Sequence, residues 1–85
     1  MYWDIIKIKV RSTLILEVTF QDGTQGVIRF LPESLKGVFE SLKDPEYFAK
    51  VKLSKGVPTW PDEIDLAPDA AYHEIKEHGE WLIAS

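Results

Sequence analysis

The sequence predicts an α+β fold: an antiparallel three-stranded meander plus a short two-stranded hairpin, packed with two short helices and one C-terminal helix. Three observations predict it. Apolar and polar residues alternate through 3–11, 14–20 and 25–30, the period of half-buried strands. Asp44-Pro45-Glu46 and Pro68-Asp69 combine a fixed φ at a first helical position with negative charge at the positive end of the helix dipole. Between those starts, 51–53, Lys55-Gly56 and 57–60 read as strand, turn and strand.

In chain order, 3–11 is the first strand, with Ile6, Ile8 and Val10 on one side and Lys7, Lys9 and Arg11 on the other. Ser12-Thr13 links it to a second strand from Leu14 to Phe20. Asp22-Gly23 tolerates φ > 0 at both central turn positions and folds the chain back as a tight hairpin. Ile28 and Phe30 then share a face, and Gly26 marks a bulge or a close approach. The inner face is thus Ile6, Ile8, Val10, Leu16, Val18, Phe20, Ile28 and Phe30, and one such face must be covered.

Pro32 suits the first turn of a short covering helix and Gly37 its end, with Leu35, Val38, Phe39 and Leu42 as apolar contacts. Asp44 caps the next short helix, with Tyr47, Phe48 and Val51 facing inward. Pro58 cannot donate to a ladder, so the strand at 57–60 belongs at an edge or is very short. Pro61 ends it, and 62–66 reads as a loop. The last helix starts at Pro68 and stops at Gly79, burying Ala71, Tyr72 and Ile75 and exposing His73, Lys76, Glu77 and Glu80. The apolar tail at 80–85, with Trp81, Leu82 and Ile83, is expected to dock on its own domain instead of standing free as a sticky patch.

The totals bound the function. Eighty-five residues, 45% hydrophobic and 28% charged, make one folded domain over 1–85. No cysteine is present, so disulfides, thiolate zinc sites and cysteine nucleophiles are excluded. No apolar run approaches the ~18 residues of a spanning helix, and residues 1–10 lack a signal peptide's cationic and apolar regions. A cytoplasmic protein without a membrane segment is expected. The net charge of −4, with Asp62, Glu63, Asp65, Asp69, Glu74, Glu77 and Glu80 in the second half, suits a basic protein partner better than a phosphate backbone.

Chemistry-bearing patterns are sparse. Asp62, Glu63, Asp65 and Asp69 could ligate a hard cation or serve as an acid and base pair. Their other reading is structural, as acceptors in a Pro-bounded turn and at a helix start. His73 and His78 are five apart, about 140° around a helix, and miss the zincin spacing by one residue. No nucleophile elbow and no Gly-rich phosphate loop occurs, and no cofactor is implied. Lys7, Lys9 and Arg11 read first as a solvated sheet face and second as a phosphate-binding stripe. Trp3, Tyr47, Phe48, Trp60 and Tyr72 are bulky enough for a stacking platform, but in so small a chain such rings are usually core. Trp60, held between Pro58 and Pro61, is the expected exception, on a rigid and partly exposed edge.

Three stretches resemble the family of small prokaryotic proteins grouped as domain of unknown function 2442. They are Val18-Thr19-Phe20-Gln21-Asp22-Gly23-Thr24, then Phe39-Glu40-Ser41-Leu42-Lys43-Asp44-Pro45-Glu46-Tyr47-Phe48, then Trp60-Pro61-Asp62 with Asp65-Leu66-Ala67-Pro68-Asp69 and Tyr72. The likeness covers roughly 10–72. Family members often show Trp-Pro-Asn-Gly where this chain has Trp60-Pro61-Asp62-Glu63, which implies a different turn here. They also carry a Leu where this chain has Ala71. The resemblance implies a compact α+β domain and no known activity. Some members resemble the front half of chains with a helix-turn-helix, and others the neighbours of small proteins in toxin–antitoxin-like pairs.

The reading that results is a non-enzymatic protein-binding or regulatory module, the antitoxin-like member of a gene pair being one form of it. Its expected contact surface is Trp60, Pro61, Asp62 and Asp65, extended by Trp81 and Leu82, with a homodimer through the C-terminal tail as one form of contact. The alternatives are a metal-dependent hydrolase using Asp62, Asp65 and Asp69, and a weak nucleic-acid binder using Lys7, Lys9 and Arg11.

Overall fold

The structure, a computed structural model, describes residues 1–83, apart from the side chain of Val38. Three antiparallel strands, β1 (Ile5–Ser12), β2 (Ile15–Phe20) and β3 (Gln25–Phe30), form the predicted meander. The hairpin between β2 and β3 closes through Gly23 at φ 90, with the Thr24 N–H donating to the Asp22 carboxylate at 2.9 Å. The turn between β1 and β2 runs through Leu14 at φ 70, so Leu14 belongs to the turn and not to the second strand. Its buried side chain and its carbonyl, which accepts from the Phe30 N–H at 2.9 Å, hold that left-handed conformation in place.

The inner face differs from the expected one at a single strand. A register shift between Ile5 and Lys7 inserts an extra residue into β1. It turns Ile5 inward opposite Phe20 and leaves Ile6 51% exposed. Beyond the shift the alternation recovers, and Ile8 and Val10 pack beside the core opposite Val18 and Leu16. A bulge of this kind moves side chains between faces because the strand period is two.

The connection from β3 to the second half is two 3₁₀ segments, Pro32–Ser34 and Gly37–Lys43, so Gly37 begins a segment where it was expected to end one. Leu35 and Leu42 are buried while Phe39 is 43% exposed, which corrects its assignment to the core. The core contact expected of Val38 lies outside what the structure describes. Helix α1 (Pro45–Phe48) is a single turn capped by Asp44, whose carboxylate accepts from the Glu46 N–H at 3.0 Å.

The expected two-stranded hairpin is present and gains a third strand, making a second sheet. It comprises β4 (Lys52–Ser54), β5 (Val57–Trp60) and β6 (Ile64–Asp65), in that order. Lys55 and Gly56 make the first turn, both at positive φ. β5 is the middle strand, not an edge, and Pro58 is accommodated by its shortness while its carbonyl accepts from the Leu66 N–H at 3.1 Å. The expected loop at 62–66 therefore contains a strand of two residues.

Helix α2 (Pro68–His78) starts and stops as the sequence predicts. Gly79 takes φ 81 and its N–H donates to the Ile75 carbonyl at 2.7 Å, an αL stop that glycine makes at little cost. Ala71 and Ile75 are buried and Tyr72 is half-buried. Gly26 is the close approach: a methyl group on it would collide with the Ile75 side chain, so α2 lies directly on β3. After Gly79 the tail becomes β7 (Glu80–Ile83), parallel to β3, and the larger sheet runs β1-β2-β3-β7. Docking of the tail on its own domain is thus seen through Ile83. Ala84 and Ser85 lie outside the described residues.

Candidate functional site

An apolar hollow of about 310 Å³ opens where the 3₁₀ segments, the link from β6 to α2, and β7 meet. Buried Phe30, Leu35 and Leu66 form its depth, and Trp81 and Ile83 of β7 form one wall. Phe39 and Asp65 line it from exposed positions. Each element brings its residue for a local reason. Alternation along β3 and β7 sends Phe30, Trp81 and Ile83 to the same face, because Phe30 pairs with Ile83 and Ile28 with Trp81. Phe39 sits in a 3₁₀ segment, whose period of three cannot keep consecutive apolar residues on one side.

The polar groups in this hollow are few and differ in availability. Ser34 is half-buried, and its hydroxyl donates between the carbonyls of Leu31 at 2.8 Å and Ile83 at 3.1 Å, tying β7 to the first 3₁₀ turn. Asp65 is exposed and has no cation within ion-pair distance among the described residues. The arrangement can hold an apolar side chain and attract positive charge beside it. It places no nucleophile next to a base.

The six expected contact residues do not share one surface. Asp65 and Trp81 come together at the hollow. Trp60 does not lie on an exposed edge: it is 1% exposed, and its indole N–H donates to the Phe48 carbonyl at 2.9 Å. Its ring packs against Phe48 and Phe30 at centroid distances of 5.6 and 6.1 Å. The two prolines thus fix a core residue, since a strand position beside the larger sheet is buried whatever its flanks. Pro61 and Asp62 are exposed but engaged by Tyr47, whose hydroxyl donates to the Pro61 carbonyl at 2.6 Å with the Asp62 carboxylate at 3.3 Å. Partial burial, with the Asp62 charge adding to it, pushes the Tyr47 phenol above its usual range. Leu82 projects from the opposite face of the larger sheet to Trp81.

The alternative chemistries fare differently. Asp65 and Asp69 lie on β6 and on the first turn of α2, and Asp62 is held by Tyr47. Among the described residues no three His, Asp or Glu side chains are placed to share a metal ion. His78 and Glu74 approach each other at 4.0 Å on the exposed side of α2. Lys7, Lys9 and Arg11 do stand together on the outer face of the larger sheet, along a shallow concavity of about 690 Å³. Negative charge is interleaved there: Glu17 lies 3.5 Å from Arg11, and Glu80 pairs with Arg29 at 2.8 Å. Sequence reading missed Phe39, Leu66 and Ile83 as lining residues. No sequence signal separates an apolar residue beside a hollow from one that fills a core.

The fold positions this hollow with residues from both ends of the chain, and the family comparison divides them. The model of the family described as "Protein of unknown function (DUF2442)" matches residues 5–77. The chain belongs to the DUF2442 family. The match runs from β1 almost to the end of α2 and leaves β7 outside it. In this DUF2442 chain the floor of the hollow therefore falls within the family span, while Trp81 and Ile83 fall beyond it. No curated protein and no solved structure matches the chain. No helix among the described residues is long and apolar enough to cross a membrane.

Proposed function

We propose that this DUF2442 chain is a non-catalytic protein-docking module, the regulatory member of a gene pair, whose hollow receives an apolar anchor from a basic partner segment. The observation that carries the reading is Phe39, an aromatic residue left 43% exposed beside an otherwise apolar recess. A volume of about 310 Å³ is at the small end of ligand sites, ~300–1,000 Å³. It suits one or two inserted side chains better than a cofactor. Asp65, without a cation beside it among the described residues, and exposed Asp62 and Glu63 just before it in sequence, favour a partner carrying Lys or Arg next to its anchor.

The test is copurification from the native host with the parent chain and with Phe39→Ser and Asp65→Lys, at several salt concentrations. One partner should be recovered with the parent and lost with both variants. Recovery undiminished in both variants rejects the recess as the contact. Recovery of the parent alone at every salt concentration rejects docking altogether. Both positions are exposed, so each substitution should leave folding within ~0.5 kcal/mol of the parent.

A further inference from the structure

The two outer edges of the larger sheet are built differently. β1 carries Lys7, Lys9 and Arg11, and its pairing with β2 is broken by shifts between Ile5 and Lys7 and between Val10 and Ser12. Charged side chains and bulges are the usual means of keeping an edge from pairing with another chain. β7 has neither guard. Its four residues pair with β3 in continuous register, and its single charge, Glu80, is occupied by Arg29 at 2.8 Å. Among the described residues no strand lies beyond it.

The main-chain directions on β7 follow from the ladder. Ile83 opposes Phe30, and its carbonyl accepts from the Leu31 N–H at 3.2 Å. Main-chain groups alternate sides along a strand, so Trp81 and Ile83 direct theirs to β3, and Leu82 directs its N–H and C=O away from the sheet. The Leu82 side chain is 48% exposed beside them.

We infer that β7 pairs with β7 of a second copy of this chain, antiparallel about a two-fold axis at Leu82, joining the two larger sheets into one. Self-pairing is favoured by what it brings together. Leu82 meets Leu82 and exchanges both outward main-chain groups, and Trp81 of one copy stands opposite Ile83 of the other. Glu80 lies two positions from the axis, so the Glu80 carboxylates of the two copies do not face each other. Pairing of β7 with β1 would instead meet the basic row and its two register shifts. It would also be head-to-tail and open to growth, whereas the β7 contact closes as a dimer. One short strand from each copy is a small contact, at the weak end of specific interfaces.

Sedimentation velocity of the full chain over a wide concentration range tests this. The parent should pass from monomer to dimer, and Leu82→Pro should raise the dissociation constant at least about tenfold. The N–H that proline deletes at 82 is the outward one, so no donor of the β3–β7 ladder is lost. If Leu82→Pro fails to fold, Leu82→Lys takes its place, because an edge lysine opposes pairing and its side chain lies on the exposed face. A parent that stays monomeric at every concentration overturns the inference. So does a folded Leu82→Pro or Leu82→Lys variant that dimerises as tightly as the parent.

Discussion

The Tyr72 hydroxyl donates to the Asp22 carboxylate at 2.5 Å, fastening the last helix to the hairpin turn fifty positions earlier. The Tyr72 ring also meets Phe20 and Tyr2 edge-on, at centroid distances of 5.1 and 5.0 Å. This one side chain therefore joins the turn, the core face of β2 and the N-terminal segment. The hydrogen bond from Tyr72, with the Thr24 N–H adding a second, pulls the Asp22 carboxyl from 3.8 down to about 2. The same bond pushes the Tyr72 phenol above its ordinary 10.0.

Acid stability should report that contact. A carboxyl whose pKa falls on folding stabilises the fold above its unfolded pKa, and the contribution disappears as pH drops through the folded value. For Asp22 the window is from 3.8 down to about 2. Urea midpoints of the parent should decline across it, and Asp22→Asn and Tyr72→Phe should each flatten the decline. Tyr72, whose pKa rises on folding, stabilises fully below 10.0 and loses that contribution as pH climbs through its higher folded value. Tyr72→Phe should remove that alkaline loss. Parallel curves for the parent and both variants at both ends would show that the bond does not persist in solution.

Gly26→Ala should destabilise by ~1–3 kcal/mol, because the added methyl meets the Ile75 side chain in a packed interior. Ile75→Ala alone should cost ~2–5 kcal/mol through its cavity. The double variant should cost less than the sum of the two, since each change makes room for the other. Strict additivity in denaturant unfolding would mean that α2 does not rest on β3 at this point.

The turn Pro61–Glu63 holds Asp62 at φ 66 and Glu63 at φ 64. Left-handed conformation costs a side-chain-bearing residue ~1–2 kcal/mol. A different turn was expected here because the Asn-Gly that family members often carry is missing; the turn that forms is left-handed at both residues, without side chains that make that easy. Glu63→Gly should therefore stabilise the fold by ~1 kcal/mol, less the extra entropy it gives the unfolded chain. An unchanged or lowered thermal midpoint would count against the turn geometry.

Trp60→Phe should lower stability by ~1–3 kcal/mol, since it leaves the Phe48 carbonyl without its buried donor. Trp81→Phe, at a half-buried position with no side-chain hydrogen bond among the described residues, should cost less. Chemical denaturation of the two variants side by side gives the comparison, and a reversed order would place the buried ring at 81.

Short-range patterns were legible. Asp22-Gly23, the Asp44 cap, Pro45, Pro68 and Gly79 each specify a turn or helix end through φ restriction or a local hydrogen bond. Those restrictions act within a few residues, and the structure has each of these turns and helix ends in place, although at the hairpin only Gly23, and not Asp22, takes positive φ. The family was legible for the same reason, because its shared residues cluster at these turns. β6 and β7 were not legible as strands. They have two and four residues, and each exists because a distant neighbour supplies its ladder: Thr59 and Trp60 for β6, and 27–30 for β7.

By itself, the sequence determined the class of the fold, the meander, the starts of α1 and α2, the stop of α2 and the lack of thiol chemistry, since all of these follow from local conformational preference and composition. Tertiary structure alone decided that Ile5 and not Ile6 turns inward, that Trp60 is core, and that Phe39 is left beside an open recess. Burial depends on what packs opposite a side chain, and that partner is fixed by chain segments far away in sequence. A proline-flanked tryptophan and a rim phenylalanine therefore exchange the roles their neighbours suggest.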